Sequence, residues 1–121
     1  KEDIVDLDAI AQLGEGWVAE ETLAISIYCC LKYENDFEKA MIASVNHDGD
    51  SDSTGAVTGN ILGAWLGVEK ISERYLKNLE LKDIIEDIAV DLYEDCKMSE
   101  YGEYRDEKWL KKYVEATYQI K

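Results

Sequence analysis

An all-α fold is what this 121-residue sequence predicts, and three observations predict it. Proline is absent, against about 5% in an average protein, so no residue locks φ or strips an amide from a helix interior. Leu, Ile, Ala, Glu and Lys are abundant, and 46% of the residues are hydrophobic, enough for the core of one domain. Apolar residues recur at spacings of three and four, without the strict alternation that marks a strand. The expectation is a compact segment of about six to seven helices, residues 1–121 forming one unit.

Ile4, Val5, Leu7, Ile10 and Ala11 mark a short amphipathic helix closed by Gly14 as its C-terminal cap. Gly14-Glu15-Gly16 then turns the chain into a second helix over about 18–32. Its middle, from Leu23 to Leu31, is apolar almost all round and is expected to be a buried central helix. Asn35-Asp36 reads as a helix start, with Asp36 as N-cap ahead of Phe37, Ala40, Met41 and Val45. After an acidic loop, a helix over about 54–70 carries glycines at 55, 59, 63 and 67. A spacing of four slightly exceeds one turn, so they form one slowly drifting stripe. Each glycine weakens a helix by about 0.8–1.0 kcal/mol relative to Ala, which close approach of another helix would justify. Ser72 is expected to cap a short helix reaching 79. Asp83-Ile84-Ile85-Glu86 has capping-box spacing, with Asp83 as the cap, and opens a longer helix to about 96. The polar, tyrosine-bearing stretch 98–106 reads as a loop, and a last helix over about 107–118 presents Trp109, Leu110, Tyr113 and Val114.

Charge narrows the function classes. Thirteen basic residues against 27 acidic ones give a formal net charge of −14, spread along the chain as a solvated exterior. Nucleic acid and anionic membrane both require a basic surface, so neither is an expected partner. Cys29, Cys30 and Cys96 show no metal or redox spacing, and the adjacent pair lies in an apolar helix where a thiol acts as a small hydrophobe. A reducing, cytoplasmic compartment is the expectation. Lys1-Glu2-Asp3 lacks the apolar run of a signal peptide, and the longest low-charge stretch, 55–68, is too short to span a bilayer.

Asn46-His47-Asp48-Gly49-Asp50-Ser51-Asp52-Ser53-Thr54-Gly55 concentrates the chemistry. Asp48, Asp50 and Asp52 have the 1, 3, 5 spacing of a calcium loop, but Ser53 stands where the sharp turn needs Gly and Gly59 where a bidentate Glu should close the cage. A helix cap explains one acid, whereas three carboxylates in five positions repel one another. A partial Mg²⁺ or Mn²⁺ site accounts for more. Asp50 and Asp52, two apart in an irregular segment, can face a common side, with the Ser53 hydroxyl as a neutral oxygen donor.

The stretch from Asn46 through Gly59 closely resembles the C-terminal metal motif of the ADP-ribosylglycohydrolases, the group of the dinitrogenase-reductase-activating glycohydrolase and the crystallin J1-like proteins. Upstream, Gly14-Glu15-Gly16-Trp17-Val18-Ala19-Glu20-Glu21-Thr22-Leu23-Ala24 is similar to that family's Gly-x-Gly-aromatic segment opening a buried helix. The likeness continues through Asp36-Phe37-Glu38-Lys39-Ala40 to Gly67, about the first half of the chain. The resemblance implies that Asp50, Asp52 and Ser53 are ligands in a centre of two Mg²⁺ or Mn²⁺ ions. It also implies that Gly16 and Trp17 lie beside bound ADP-ribose, with His47 and Gly49 bordering the same cleft. Asp48 takes a position where the family often has Gly or Ser and is not assigned as a ligand.

The implied reaction is hydrolysis of the N- or O-glycosidic bond between ADP-ribose and a protein or small-molecule acceptor. Family members are longer, and their N-terminal half supplies a Thr/Ser-Asp-Asp triplet and an acidic catalytic residue; this chain contains no Asp-Asp pair. The expectation is therefore a C-terminal segment, inactive alone, whose glycine stripe and neighbours Ile61, Leu62 and Trp65 stand bare and give either homo-oligomerisation or a loosely ordered surface. The alternative is a non-catalytic, crystallin J1-like helical module that binds ADP-ribose or metal, or mediates protein contacts.

Overall fold

The computed structural model describes residues 5–94, Glu107 and 110–115. Its elements are α1 (Asp6–Leu13), α2 (Ala19–Lys32), α3 (Phe37–Val45), α4 (Ser51–Leu66), a 3₁₀ turn at Val68–Lys70, α5 (Glu73–Leu76), α6 (Lys82–Tyr93) and a π-helical stretch at Leu110–Val114. No strand occurs among the described residues, and the class is all-α. None of their helices is long and apolar enough to cross a membrane. The chain divides into two compact units, one ending at Leu79 and one starting at Glu80.

In the first unit α4 packs against α2 and α3, and α1 packs against α2. Ile10, Ile25, Cys29 and Ala43 form one core cluster with Tyr28 and Tyr33 packed on it; Cys30, Ala40 and Leu62 form another, backed by Phe37 and Leu66. Each fully buried Ile or Leu contributes about 1.5–3 kcal/mol from water exclusion. Asp6 ties α1 to α2: Tyr28 Oη donates to its Oδ1 at 2.9 Å, Tyr33 Oη to its Oδ2 at 2.7 Å, and Lys32 Nζ pairs with it at 2.8 Å. Gly14 ends α1 as expected, its N–H reaching Ile10 O at 3.1 Å. Asp36 caps α3, its Oδ1 accepting the Lys39 amide at 3.0 Å.

The expectation of a wholly buried α2 needs correction. Thr22, Ile25, Ser26, Cys29 and Cys30 are buried, whereas Leu23, Ile27 and Leu31 are exposed, Leu31 by 72%. Because α4 passes close to α2, the inward face takes small and hydroxyl-bearing residues beside Ile25, while Leu23, Ile27 and Leu31 face outward. Ser26 Oγ donates to Thr22 O at 2.8 Å within its own helix and also lies 3.1 Å from Thr54 O of α4.

The glycine stripe is a packing face only along part of α4. A Cβ at Gly55 would lie 2.6 Å from Val45 Cγ1, and one at Gly59 would lie 3.6 Å from Met41 Sδ. At Gly63 the nearest neighbour would be Ile71 Cδ1 at 3.9 Å. The helix starts at Ser51 and stops at Leu66, earlier at both ends than the sequence suggests, because Gly67 turns it off at φ +79°. Beside the stripe, Trp65 is 72% exposed and Ile61 is partly exposed; Leu62, expected to be bare, is buried. Ser72 precedes α5 without a side-chain cap, and α5 ends at Leu76 rather than 79.

In the second unit Asp83 is not the cap of α6. Leu81, in the left-handed region at φ 57°, takes that place, its carbonyl accepting the amides of Ile84 and Ile85 at 3.0 Å each. Asp83 lies inside the first turn, where its charge still complements the helix dipole. Lys112 Nζ pairs with Asp87 and Asp91 at 2.7 Å each, and Tyr113 Oη donates to Asp91. Leu110–Val114 winds as a π-helix, with the Glu115 amide reaching Leu110 O at 2.8 Å, where an ordinary α-helix was expected. Cys96, the loop expected at 98–106 and Trp109 lie outside the described residues.

Candidate metal and ligand site

Two backbone segments cross in front of the N-termini of α2 and α4. The Asp50 amide donates to Glu15 O at 2.7 Å. A Cβ on Gly49 would fall 1.8 Å from that same carbonyl, so the crossing requires a bare residue there. Gly16 is buried at φ +82°, with a hypothetical Cβ 3.0 Å from Thr54 Cγ2. Behind it, Glu21 Oε2 accepts the amides of Glu15 at 3.1 Å and Gly16 at 3.0 Å, and Thr22 Oγ1 donates to Gly16 O at 2.7 Å.

His47 braces the second segment. Its Nδ1 accepts the Gly49 amide at 3.1 Å, so the hydrogen of the neutral ring sits on Nε2 and points to Thr54 Oγ1 at 2.9 Å. The Thr54 hydroxyl in turn donates to Ser44 O at 2.6 Å. Each polar atom of this relay has a partner, and the ring acts here as a loop brace.

Asp50 immediately precedes α4, and Asp52 and Ser53 occupy its first turn, where an irregular segment was expected. The Asp50 carboxyl is held below the ordinary carboxylate value, chiefly by the Ser53 hydroxyl and next by hydrogen bonding with Asp52, with the Ser53 amide adding to it. The Ser53 amide is within electrostatic reach without meeting the geometry of a cap hydrogen bond. Asp50 is thus an ionised donor with a second carboxylate and a hydroxyl beside it. Among the described residues no three or more His, Cys, Asp or Glu side chains are grouped to hold a metal ion. The donors present suit a hard cation and fill only part of an octahedral shell.

Asp50 and Ser53 open onto a cleft of about 410 Å³ whose other walls include Gly16, Trp17, Leu23 and Val57. Trp17 is 67% exposed, and its indole N–H donates to Glu15 Oε2 at 3.2 Å. Asp52 adjoins this cleft through Asp50 and does not line it. His47 and Gly49 line a neighbouring concavity of about 430 Å³ with Asp8, Gly14, Glu15 and Asp48. The single cleft expected from sequence is therefore two, parted by the crossing of Glu15 with Asp50. Glu21 and Thr54 organise both segments and were not singled out from sequence. Glu21 did carry a signal, as an acid at the third position of a helix that follows a Gly-x-Gly turn.

An uncharacterized protein of Archaeoglobus fulgidus is 35% identical over 86 residues, which cover 71% of this chain and 27% of that protein. The ADP-ribosylhydrolase ARH3 of Mus musculus is 28% identical over 90 residues, 65% of this chain and 24% of the relative. The ADP-ribosyl-dinitrogen reductase glycohydrolase of Rhodospirillum rubrum is 41% identical over 46 residues, 38% of this chain and 16% of that protein. The chain spans about a quarter of the length of the first two of these relatives. No solved structure matches it. The family model of the ADP-ribosylglycohydrolases matches residues 2–102, both crossing segments included, and the chain belongs to that family.

Proposed function

We propose that this chain carries the metal-binding and ADP-ribose-binding part of a hydrolase that cleaves the N- or O-glycosidic bond between ADP-ribose and its acceptor. The observation that carries the reading is the meeting of Asp50 and Ser53 with Gly16 and Trp17 in one cleft, the two motifs being 33 positions apart at Trp17 and Asp50 in the sequence. Asp50, Asp52 and Ser53 would hold Mg²⁺ or Mn²⁺, two ions in the complete site. Such ions, when bound, neutralise the pyrophosphate and lower the pKa of a coordinated water. Trp17 offers an exposed aromatic face to a ribose or base, and the backbone around Gly16 allows close approach of the ligand.

Two carboxylates and a hydroxyl leave room for further oxygen donors. That donor count supports an isolated chain that binds without turning over, in keeping with a match that spans about a quarter of the relatives. The same count is compatible with a non-catalytic binding module, the second reading.

Calorimetric titration of ADP-ribose in 5–10 mM Mg²⁺, on the order of typical weak-site concentrations, tests the binding part. Binding should require the metal and be lost in Asp50→Ala; undiminished binding in that variant would remove Asp50 from the site. Release of ADP-ribose from an ADP-ribosylated protein, assayed under the same conditions, separates hydrolysis from binding alone.

A further inference from the structure

We propose that Glu21 is the positioning residue of the acidic site: its carboxylate fixes the backbone of Glu15 and Gly16, and that backbone fixes Asp50. The proposal rests on the reading of Asp50 as a ligand-bearing residue only for its functional consequence. Its structural content is independent of any ligand.

A chain of contacts carries it. The Gly14–Gly16 turn precedes α2; the Gly14 amide closes α1 on Ile10 O, and the next two amides have no helical partner. Those two amides, from Glu15 and Gly16, converge on the single oxygen Glu21 Oε2, at 3.1 and 3.0 Å. Glu21 occupies space that Gly14 leaves bare: its Cγ and Cδ lie 2.6 and 2.4 Å from where a Gly14 side chain would begin. Gly14 at φ +130° and Gly16 at φ +82° are both in conformations that other residues rarely adopt. A charged acceptor shared by two consecutive amides holds such a turn more firmly than neutral partners would.

The turn so fixed meets the acidic loop at one point. Glu15 O accepts the Asp50 amide at 2.7 Å and fills the space that Gly49 leaves open. Rotating the peptide between Glu15 and Gly16 would move that carbonyl and release the Asp50 backbone just ahead of α4. Glu21 is not itself among the residues lining the cleft; it holds the lining residue Gly16 by its amide and reaches Asp50 through Glu15.

Amide hydrogen exchange by NMR tests the relay in Glu21→Ala and Glu21→Gln. In Glu21→Ala the amides of Gly16 and Asp50 should exchange at least about tenfold faster, while those of Ile25 and Cys29 inside α2 keep their rates. Glu21→Gln, which retains an acceptor oxygen, should recover part of the Asp50 protection. An unchanged Asp50 rate in Glu21→Ala overturns the proposal. So does equal acceleration of α2 and Asp50 in both variants, since Glu21 would then support the fold at large. Mn²⁺ binding, followed by the loss of the free-ion paramagnetic resonance signal, supplies the functional arm. Wild-type chain that binds Mn²⁺ should lose affinity at least about fivefold in Glu21→Ala, a retained affinity overturning the functional consequence. A wild-type chain that binds no Mn²⁺ defeats the metal reading of Asp50 and leaves the exchange rates to decide the relay.

Discussion

At the scale of single residues, the described structure uses carboxylates as fasteners as well as candidate ligands. Asp36 caps α3, Glu21 ties the turn before α2, and Asp6 gathers Tyr28, Tyr33 and Lys32 around one carboxyl. Burial by itself would push the Asp6 carboxyl upward, but the hydrogen bonds from Lys32, Tyr33 and Tyr28 together outweigh it and leave Asp6 below its ordinary value of 3.8. A depressed native value means that the folded state holds fewer protons than the unfolded chain in the window just below pH 4. The stabilisation is therefore complete above about pH 4 and is lost as pH falls through the native value. Asp6→Asn should lower the unfolding free energy at pH 7 by about 1–2 kcal/mol, since the partly exposed Lys32 contact counts for little and the tyrosine bonds for more. Urea unfolding at descending pH should bring the two proteins together below pH 4. A difference that stays constant down to pH 2 would show that Asp6 acts through shape and not through charge. Asp36 was legible as a cap because caps are local, i to i+3; Asp6 was not, since its partners lie 22 to 27 positions away.

At the scale of elements, α4 shows what a periodic pattern can and cannot tell. The four-residue spacing correctly implied a close neighbour, and α3 supplies it at Gly55 and Gly59. Spacing alone could not say where along the helix the neighbour leaves, and past Gly59 α3 is no longer the nearest contact. The glycines should therefore respond oppositely to the same substitution. Gly63→Ala adds a methyl group in ordinary contact with Ile71 and gains helix propensity, so it should stabilise by about 0.5–1 kcal/mol. Gly55→Ala drives the methyl to 2.6 Å from Val45 Cγ1, on a β-branched side chain with few rotamers, and should destabilise by about 1–3 kcal/mol despite the same propensity gain. Shifts of the urea midpoint at constant slope read both; stabilisation by both would show that α3 and α4 can part without cost. The same limit explains α2, whose run of aliphatics from Leu23 to Leu31 looked buried on every side. Hydrophobicity is legible residue by residue, whereas which face α4 covers is set by tertiary packing, and that face took Ser26 and Cys30.

At the scale of the whole molecule, a net charge of −14 sets the chain against itself and bears on its candidate site. Like charges over a small surface repel, which weakens the compact state at low ionic strength. Raising NaCl shortens the Debye length from about 30 Å at 0.01 M to about 10 Å at 0.1 M, so stability should climb over that range and then level off. Mg²⁺ at matched ionic strength screens in the same way, and it should add more only if a folded site captures it. An ion at ten times its Kd adds about 1.4 kcal/mol to stability when it binds the native state alone. The unfolding midpoint in Mg²⁺ should therefore exceed that in NaCl of equal ionic strength for the wild-type chain. In Asp50→Ala the NaCl response should persist, since one charge in so many changes the overall field little, while the excess due to Mg²⁺ disappears. Equal midpoints in the two salts for the wild-type chain would mean that Asp50, Asp52 and Ser53 do not retain the ion without further donors. An excess surviving in Asp50→Ala would place the captured ion elsewhere on the acidic surface.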